Sequence, residues 1–313
     1  MTVPGFRRAD GSFGVRNRVL LLPTVVCAAE TARQAAQGIP GAAALPVQQG
    51  CGQAGRDAEM TRRVLVGTGC NPNVFGVVVV GLGCETTRPE KVAQAIAAAG
   101  KPVELVIIQE EGGTVRAAAR IAELGRALAV RAAAQEREPC ELSGLVVALE
   151  CGGSDPTSGL AANPAVGLAS DRLVQEGATV ILSETTELVG AEHVLAARAC
   201  DPEVGAAILR LVADMEEAAR RSGADLRGAN PSPGNIASGL STLEEKSLGC
   251  IRKAGTSRPV EVLPYAARPS RRGLVIMDSP GADVDSVSGM AAGGAQICLF
   301  TTGLGTPVGH PIM

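Results

Sequence analysis

The sequence predicts an α/β protein built as two doubly wound, Rossmann-like parallel-sheet units that share a cleft. Three observations predict it. Short β-branched runs recur along the chain, most of them apolar throughout. Alanine-rich helical stretches separate them, and glycine with small polar residues follows each run. A run without polar alternation suits a parallel strand buried on both faces. Strand–helix alternation suits a doubly wound sheet.

In chain order, the expected strands cover residues 19–26, 44–48, 75–80, 103–108, 145–149, 178–182, 274–277 and 295–300. Expected helices cover 88–99, 114–137, 164–176 and 202–222. The second of these helices runs into "EREPCELSG", which sets a boundary near residue 140. A first α/β domain is therefore expected over 1–139 and a second over 140–313, each with about four strands. The stretch 227–239, "RGANPSPGNIASG", reads as a linker or a flexible loop. The ending "GLGTPVGHPIM" stops just after a strand–loop unit, so the second domain is expected to be truncated at its C-terminus.

Composition narrows the function. Of 313 residues, 46% are apolar, enough for a sizeable core, and the net charge is −3. With no basic face, no Trp, one Tyr and four Phe, nucleic acid is not an expected partner. The apolar runs are strand length, short of the ~18 residues of a membrane helix. "VLLLPTVVCAA" follows Arg16 and Arg18 as a signal peptide's apolar stretch would, but Asp10-Gly11 and Gly14 before it read as folded structure. A buried first strand is expected instead. Nine cysteines in a large acidic chain do not make a disulfide scaffold. A cytoplasmic location is expected, with the cysteines free, metal-bound or catalytic.

Ligands of open parallel sheets bind beyond the carboxyl ends of the strands, and this chain loads those ends. The loops are "QQGCGQAG", "GLGCETT", "QEEGGT", "ECGGSD", "SETTELVGAEH", "DSPGADVDS" and "TTGLGTPVGH". Two echo each other: "VVVVGLGCE" and "LVVALECGG" each set a cysteine just past a strand. Cys51, Cys84 and Cys151, all flanked by glycine, are candidate ligands of one metal. The alternative is that each is a small apolar filler, or lines a pocket around an ion held by oxygen and histidine. No CxxC pair supports structural zinc. In "ECGGSDPTSGLAANPAVG", Ser154, Asp155, Thr157, Ser158 and Asn163 crowd behind Cys151, more small polar groups than a turn needs, which reads as a ligand-holding loop. His193, with Glu184, Glu187 and Glu192 nearby, suits proton transfer or metal ligation. "GLGTPVG" is no dinucleotide fingerprint, having a Pro inside and no helix after it. In "TLEEKSLGCIRKAG", Glu244, Glu245 and Lys246 sit early in a helix and by pattern alone form a capped, solvated start.

Together "GFRRADGSFGVRN", "GCGQAG", "VVGLGCE", "IQEEGGT", "ECGGSDPTSGLAANPAVG", "SETTELVGAEH", "NPSPGNIASGLSTLEEKSLG" and "FTTGLGTPVG" resemble the catalytic region of the altronate/galactarate dehydratase family, over nearly the whole chain. That family includes the large subunit of sulfolactate sulfo-lyase. The resemblance implies a hydro-lyase acting on a sugar acid, a hexonate or hexarate, to give a 2-keto-3-deoxy acid. It implies iron, as Fe²⁺ or an iron–sulfur cluster, or another divalent metal. It also implies a small N-terminal-type domain, fused or as a separate subunit, and a homo-oligomer. His193, Glu184, Glu187 and Lys246 are then the acid–base candidates, and Ser154, Asp155, Thr157, Ser158 and Asn163 orient the polyol. Three departures stand out: the chain starts at "GFRRADG" without the small domain, Gln48-Gln49 stand where relatives often carry His, and the chain is expected to end where relatives continue with another strand and loop. A sulfo-lyase large subunit and a non-catalytic sugar-acid-binding subunit are the alternatives.

Overall fold

In the computed structural model, which describes residues 1–313, Thr2–Glu141, Ala291–Gln296 and His310–Met313 form one unit. Met1, Leu142–Met290 and Ile297–Gly309 form the other.

The N-terminal unit begins with β1 (Thr2–Arg7) and β2 (Phe13–Gly14), followed by β3 (Arg18–Pro23), α1 (Val26–Ala36), β4 (Ala42–Ala44), α2 (Gly55–Gly69) and β5 (Val74–Gly81). After them come α3 (Pro89–Ala98), β6 (Val103–Ile107), α4 (Thr114–Ala133) and β7 (Glu138–Glu141). Strands β4-β3-β5-β6 make an all-parallel sheet. Alternate residues feed its two faces, as the strand period requires. Val19, Leu21, Val78 and Val80 pack with α1 and α4, whereas Leu20, Leu22, Val77 and Val79 pack with α2 and α3. Asn71 and Asn73 tie in the distant segments: their amides donate to the carbonyls of Ala291, Ala295, Gln296 and Ile312 at 2.7–2.8 Å.

Several elements depart from expectation. The run at 44–48 keeps its strand only over β4, and Leu45 makes a last bond to Leu21 O. Pro46 follows, has no N–H and cannot continue a ladder. The helix expected to reach residue 137 ends at Ala133, and β7 then pairs antiparallel with β1, which also pairs with β2. That small antiparallel sheet was not expected.

The C-terminal unit runs β8 (Val146–Cys151), α5 (Asn163–Gln175), β9 (Thr179–Leu182), α6 (Glu192–Ala197), α7 (Pro202–Arg221), α8 (Leu226–Ala229), α9 (Pro233–Ala237) and α10 (Leu243–Ile251). Then follow β10 (Pro259–Leu263), β11 (Gly273–Met277), α11 (Asp283–Ala292) and β12 (Ile297–Thr301). Its five strands are parallel, in the order β10-β11-β9-β8-β12, with β10 an addition to the expected set. The stretch 227–239, expected as linker or loop, is helical over parts of α8 and over α9. Ser232 and Asn235 form a reciprocal capping box, with Pro233 at the first helical position. No helix is long and apolar enough to cross a membrane.

Candidate active site

The winding of the C-terminal sheet reverses at β8, which has β9 on one side and β12 on the other. A crevice outside the carboxyl ends is expected at such a reversal. Glu150 and Cys151 end β8 there, and Ser183 and Glu184 follow β9. The last turn of α10 and the 3₁₀ turn Arg252–Ala254 add Cys250 and Lys253. Glu184 adopts left-handed backbone angles, φ 64° and ψ 63°. For a residue with a Cβ that conformation costs about 1–3 kcal/mol and persists where its surroundings impose it. Here the Glu184 N–H donates to Ser279 Oγ at 2.7 Å, and the next N–H, of Thr185, to Ser279 O at 3.1 Å.

Four side chains meet in this interior. The Lys253 ammonium, 0% exposed, lies 3.0 Å from Cys151 Sγ and 3.2 Å from Cys250 Sγ, and is ion-paired with Glu184 Oε2. The two sulfurs are 3.7 Å apart, and the Cys151 N–H donates to Glu184 Oε2 at 3.2 Å. A hydrogen bond from the Cys250 thiol, aided by the Lys253 charge, brings Cys151 down to about 5, while Cys250 moves up. Burial, with the Cys151 charge beside it, pushes Glu184 above the carboxylate range, and Lys253 pulls the other way. Glu150 is pushed up to about 8 by burial. It accepts from Ser286 Oγ at 2.5 Å, and its other oxygen has no partner.

The donor set fits a metal ion. Cys151, Glu184 and Cys250 offer three ligand atoms within 4.8 Å of one another. Two thiolates on one tetrahedral ion, at bonds of about 2.3 Å, stand about 3.8 Å apart, close to the observed 3.7 Å.

Two cavities reach this interior through Cys151. One, of about 400 Å³, is bordered by Ser154, Asp155, Ser158, Asn163, Lys246 and Cys250 among others. The second, of about 310 Å³, is bordered by Ser154, Glu187, Asn235, Lys246 and Asp283 among others. Lys246 Nζ lies 3.1 Å from the Glu187 carboxylate and donates to Asn230 Oδ1 at 2.8 Å. Burial raises the Asp283 carboxyl.

The structure thus brings together Cys151, Glu184, Glu187, Lys246, Ser154, Asp155, Ser158 and Asn163 from the expected residues. Part of the polar loop serves itself: Asp155 Oδ1 accepts from Thr157 Oγ1 at 2.7 Å and from the Ser158 N–H at 2.9 Å. Asn163 donates to Gly249 O at 2.9 Å and accepts from Thr301 Oγ1 at 2.5 Å. Thr157 and His193 are exposed. Cys51 and Cys84 are exposed thiols of the N-terminal unit, and the donors around Cys151 come from Glu184 and Cys250 instead. Sequence reasoning passed over Cys250, Lys253, Glu150 and Asp283. Cys250 and Lys253 are three apart in "CIRK", one helical turn, and that spacing was the available signal.

A doubly wound α/β unit with thiol, ammonium and carboxyl groups buried at the carboxyl edge of its sheet has the build of an α/β enzyme. Residues 142–313 match the D-galactarate/altronate dehydratase C-terminal domain, and residues 5–133 match the D-galactarate dehydratase/altronate hydrolase second domain. The chain belongs to the D-galactarate/altronate dehydratase family. It is 41% identical to the (2R)-sulfolactate sulfo-lyase subunit beta of Chromohalobacter salexigens, covering all of this chain and 80% of that one. It is 38% identical to the altronate dehydratase of Bacillus subtilis and 38% to the galactarate dehydratase (L-threo-forming) of Escherichia coli. Those matches cover 98% of this chain but 63% and 62% of the two dehydratases.

Proposed function

We propose that the chain is the catalytic region of a metal-dependent lyase that dehydrates a hexonate or hexarate, such as altronate or galactarate, to a 2-keto-3-deoxy acid. The observation that carries this reading is the buried group of Cys151, Glu184, Cys250 and Lys253, opening through Cys151 onto cavities bordered by Lys246 and Glu187. Dehydration removes a weakly acidic proton beside a carboxylate and expels hydroxide, so it needs a base, an acid and stabilisation of the enolate-like charge. Glu187 takes the proton. Lys246, held against Glu187 and Asn230, protonates the departing hydroxyl. Ser154 and Asp155 hold the polyol, and Asp283, kept nearer its protonated form by burial, favours an oxygen-rich anion beside it. When bound by Cys151, Cys250 and Glu184, a divalent metal, iron in this reading, would supply Lewis-acid polarisation of the substrate carboxylate and hydroxyl. No step is assigned to His193.

A second reading has its own support. The sulfo-lyase subunit is matched over a larger share of its length than the dehydratases are. A sulfolactate-type elimination needs the same proton removal, with sulfite leaving in place of hydroxide, and a separate small subunit as partner.

One panel separates the readings. Hexonates, hexarates and sulfolactate are incubated anaerobically with the chain, with and without Fe²⁺ and an added small subunit, and keto acid and sulfite are assayed. Keto-deoxy acid from a sugar acid supports the dehydratase, and sulfite supports the sulfo-lyase. Neither product under any condition contradicts both.

A further inference from the structure

The same donors that fit a metal already hold a cation. Lys253 Nζ touches Cys151 Sγ, Cys250 Sγ and Glu184 Oε2, the three atoms a metal would need, and the side chain is wholly buried. Its backbone is fixed as well, because Ser170 Oγ donates to Lys253 O at 2.8 Å. The ammonium is therefore built into the site rather than drifting into it from solvent. A divalent ion bonded to both sulfurs at about 2.3 Å would sit within van der Waals reach of Nζ, and two cations so close in a buried interior repel strongly. Ammonium and metal cannot share these donors.

We propose that Lys253 is the resident counter-cation of the Cys151–Glu184–Cys250 donor set, and that a divalent metal loads only by displacing its ammonium. The lysine thereby sets the threshold for metal occupancy: at low metal the centre is closed by its own side chain, and at high metal it exchanges one cation for another. This rests on reading the three donors as metal-holding, but it is independent of which acid is the substrate.

Cobalt(II) is a suitable probe, because thiolate coordination gives a near-ultraviolet charge-transfer band and tetrahedral geometry gives visible ligand-field bands. The full chain is stripped with chelator and titrated anaerobically with Co²⁺, as wild type and as Lys253→Met, Lys253→Arg and Lys253→Met/Cys250→Ser. Lys253→Met should bind at least about tenfold more tightly than wild type, the size of effect seen when groups around metal ligands change. Lys253→Arg, which keeps the charge, should stay as weak as wild type or weaker, and the Cys250→Ser combination should lose most of the thiolate band. Should Lys253→Met fail to fold by circular dichroism, Lys253→Gln carries the same test, since its amide removes the charge, still offers hydrogen bonds to the buried groups and leaves the donors intact. Equal Co²⁺ affinity in wild type and the Met variant would overturn the proposal. So would thiolate bands absent from both, and that outcome, with turnover on the substrate panel intact, would refute the metal centre while leaving the lyase standing.

Discussion

Two strand ends look alike in sequence, "VVVVGLGCE" running off the end of β5 and "LVVALECGG" at the end of β8, each setting a cysteine beside a glutamate at the carboxyl edge of a parallel sheet. In the N-terminal unit, Glu85 accepts from the Leu82 N–H at 2.9 Å, the Gly83 N–H at 2.7 Å and Thr24 Oγ1 at 2.7 Å. Burial works to raise its pKa, but these donors outweigh burial and hold it below the ordinary carboxylate value. Its neighbour Cys84 is exposed. In the C-terminal unit, Glu150 has one hydroxyl partner and one orphaned oxygen, and burial raises it to about 8. Its neighbour Cys151 is buried against Lys253 and Cys250. The first carboxylate is occupied in folding its own loop. The second keeps proton affinity near neutral pH, which chemistry can use.

The largest expected effect is at Lys253. Replacing it with Met leaves a thiolate and carboxyl groups buried without their cation, a loss of about 3–5 kcal/mol in chemical denaturation. Adding Cys151→Ser, which removes the buried thiolate, should restore part of that loss. Full stability of the single variant would show that the interior carries no net charge for Lys253 to balance.

The same isosteric change should then act oppositely at the two strand ends. Glu85→Gln loses charge-assisted bonds from two backbone N–H groups and a hydroxyl, about 2–3 kcal/mol. Glu150→Gln mimics a carboxyl that is already protonated and should stay within about 1 kcal/mol of wild type at pH 6. The pH dependence differs in sign. The folded-state value of Glu85 lies below the ordinary 4.5, so its contribution is present above that pH and fades as pH falls through the lower folded value. Glu150, raised from 4.5 to about 8, binds protons more tightly in the folded state, so wild-type stability declines as pH rises across that window. Denaturation of Glu150→Gln and wild type from pH 5 to about 8.5 should therefore show the variant gaining on wild type as pH rises. A constant difference would mean that Glu150 is not perturbed.

The smallest effect expected is at the cap of α9. Ser232→Ala removes the capping hydroxyl and should cost about 1 kcal/mol. Asn235 donates to Ser154 O at 2.9 Å, so hydrogen exchange should quicken around α9 and the Ser154 loop and stay unchanged in β3–β6. Uniform quickening in both units would remove the contrast between them.

How much of this was legible follows from the kind of signal each element carries. Buried parallel strands such as β5 and β11 are unbroken apolar runs and announce themselves. β1 and β7, "TVPGFR" and "EPCE", hold Pro, Gly and charge, and their pairing spans more than 130 residues of chain, so local pattern is silent. The helix at 233–237 was masked by Pro, Gly and Asn, although Ser232-Pro233 with Asn235 is a helix start in its own right. At the site, strand-end position points to Cys151, Glu184 and Glu187, and the family resemblance adds Lys246, whose helix-start pattern alone reads as solvated. Lys253 was not, because a lysine beside Arg252 in a helical stretch reads as a solvated surface, and only tertiary packing shows that it is fully buried.

The central claim is that the chemistry sits at the carboxyl edge of the C-terminal sheet. The direct test is turnover of the acid on which the wild type is active, under the same metal and partner conditions, for Glu187→Gln, Cys151→Ser and Cys84→Ser. The first two should lose about 10²–10⁴-fold in kcat with their folds intact, the range for acid–base and site-forming groups, while Cys84→Ser should stay within about twofold of wild type. Wild-type turnover in Glu187→Gln and Cys151→Ser, with activity lost in Cys84→Ser, would move the reactive centre to the other unit and contradict the account.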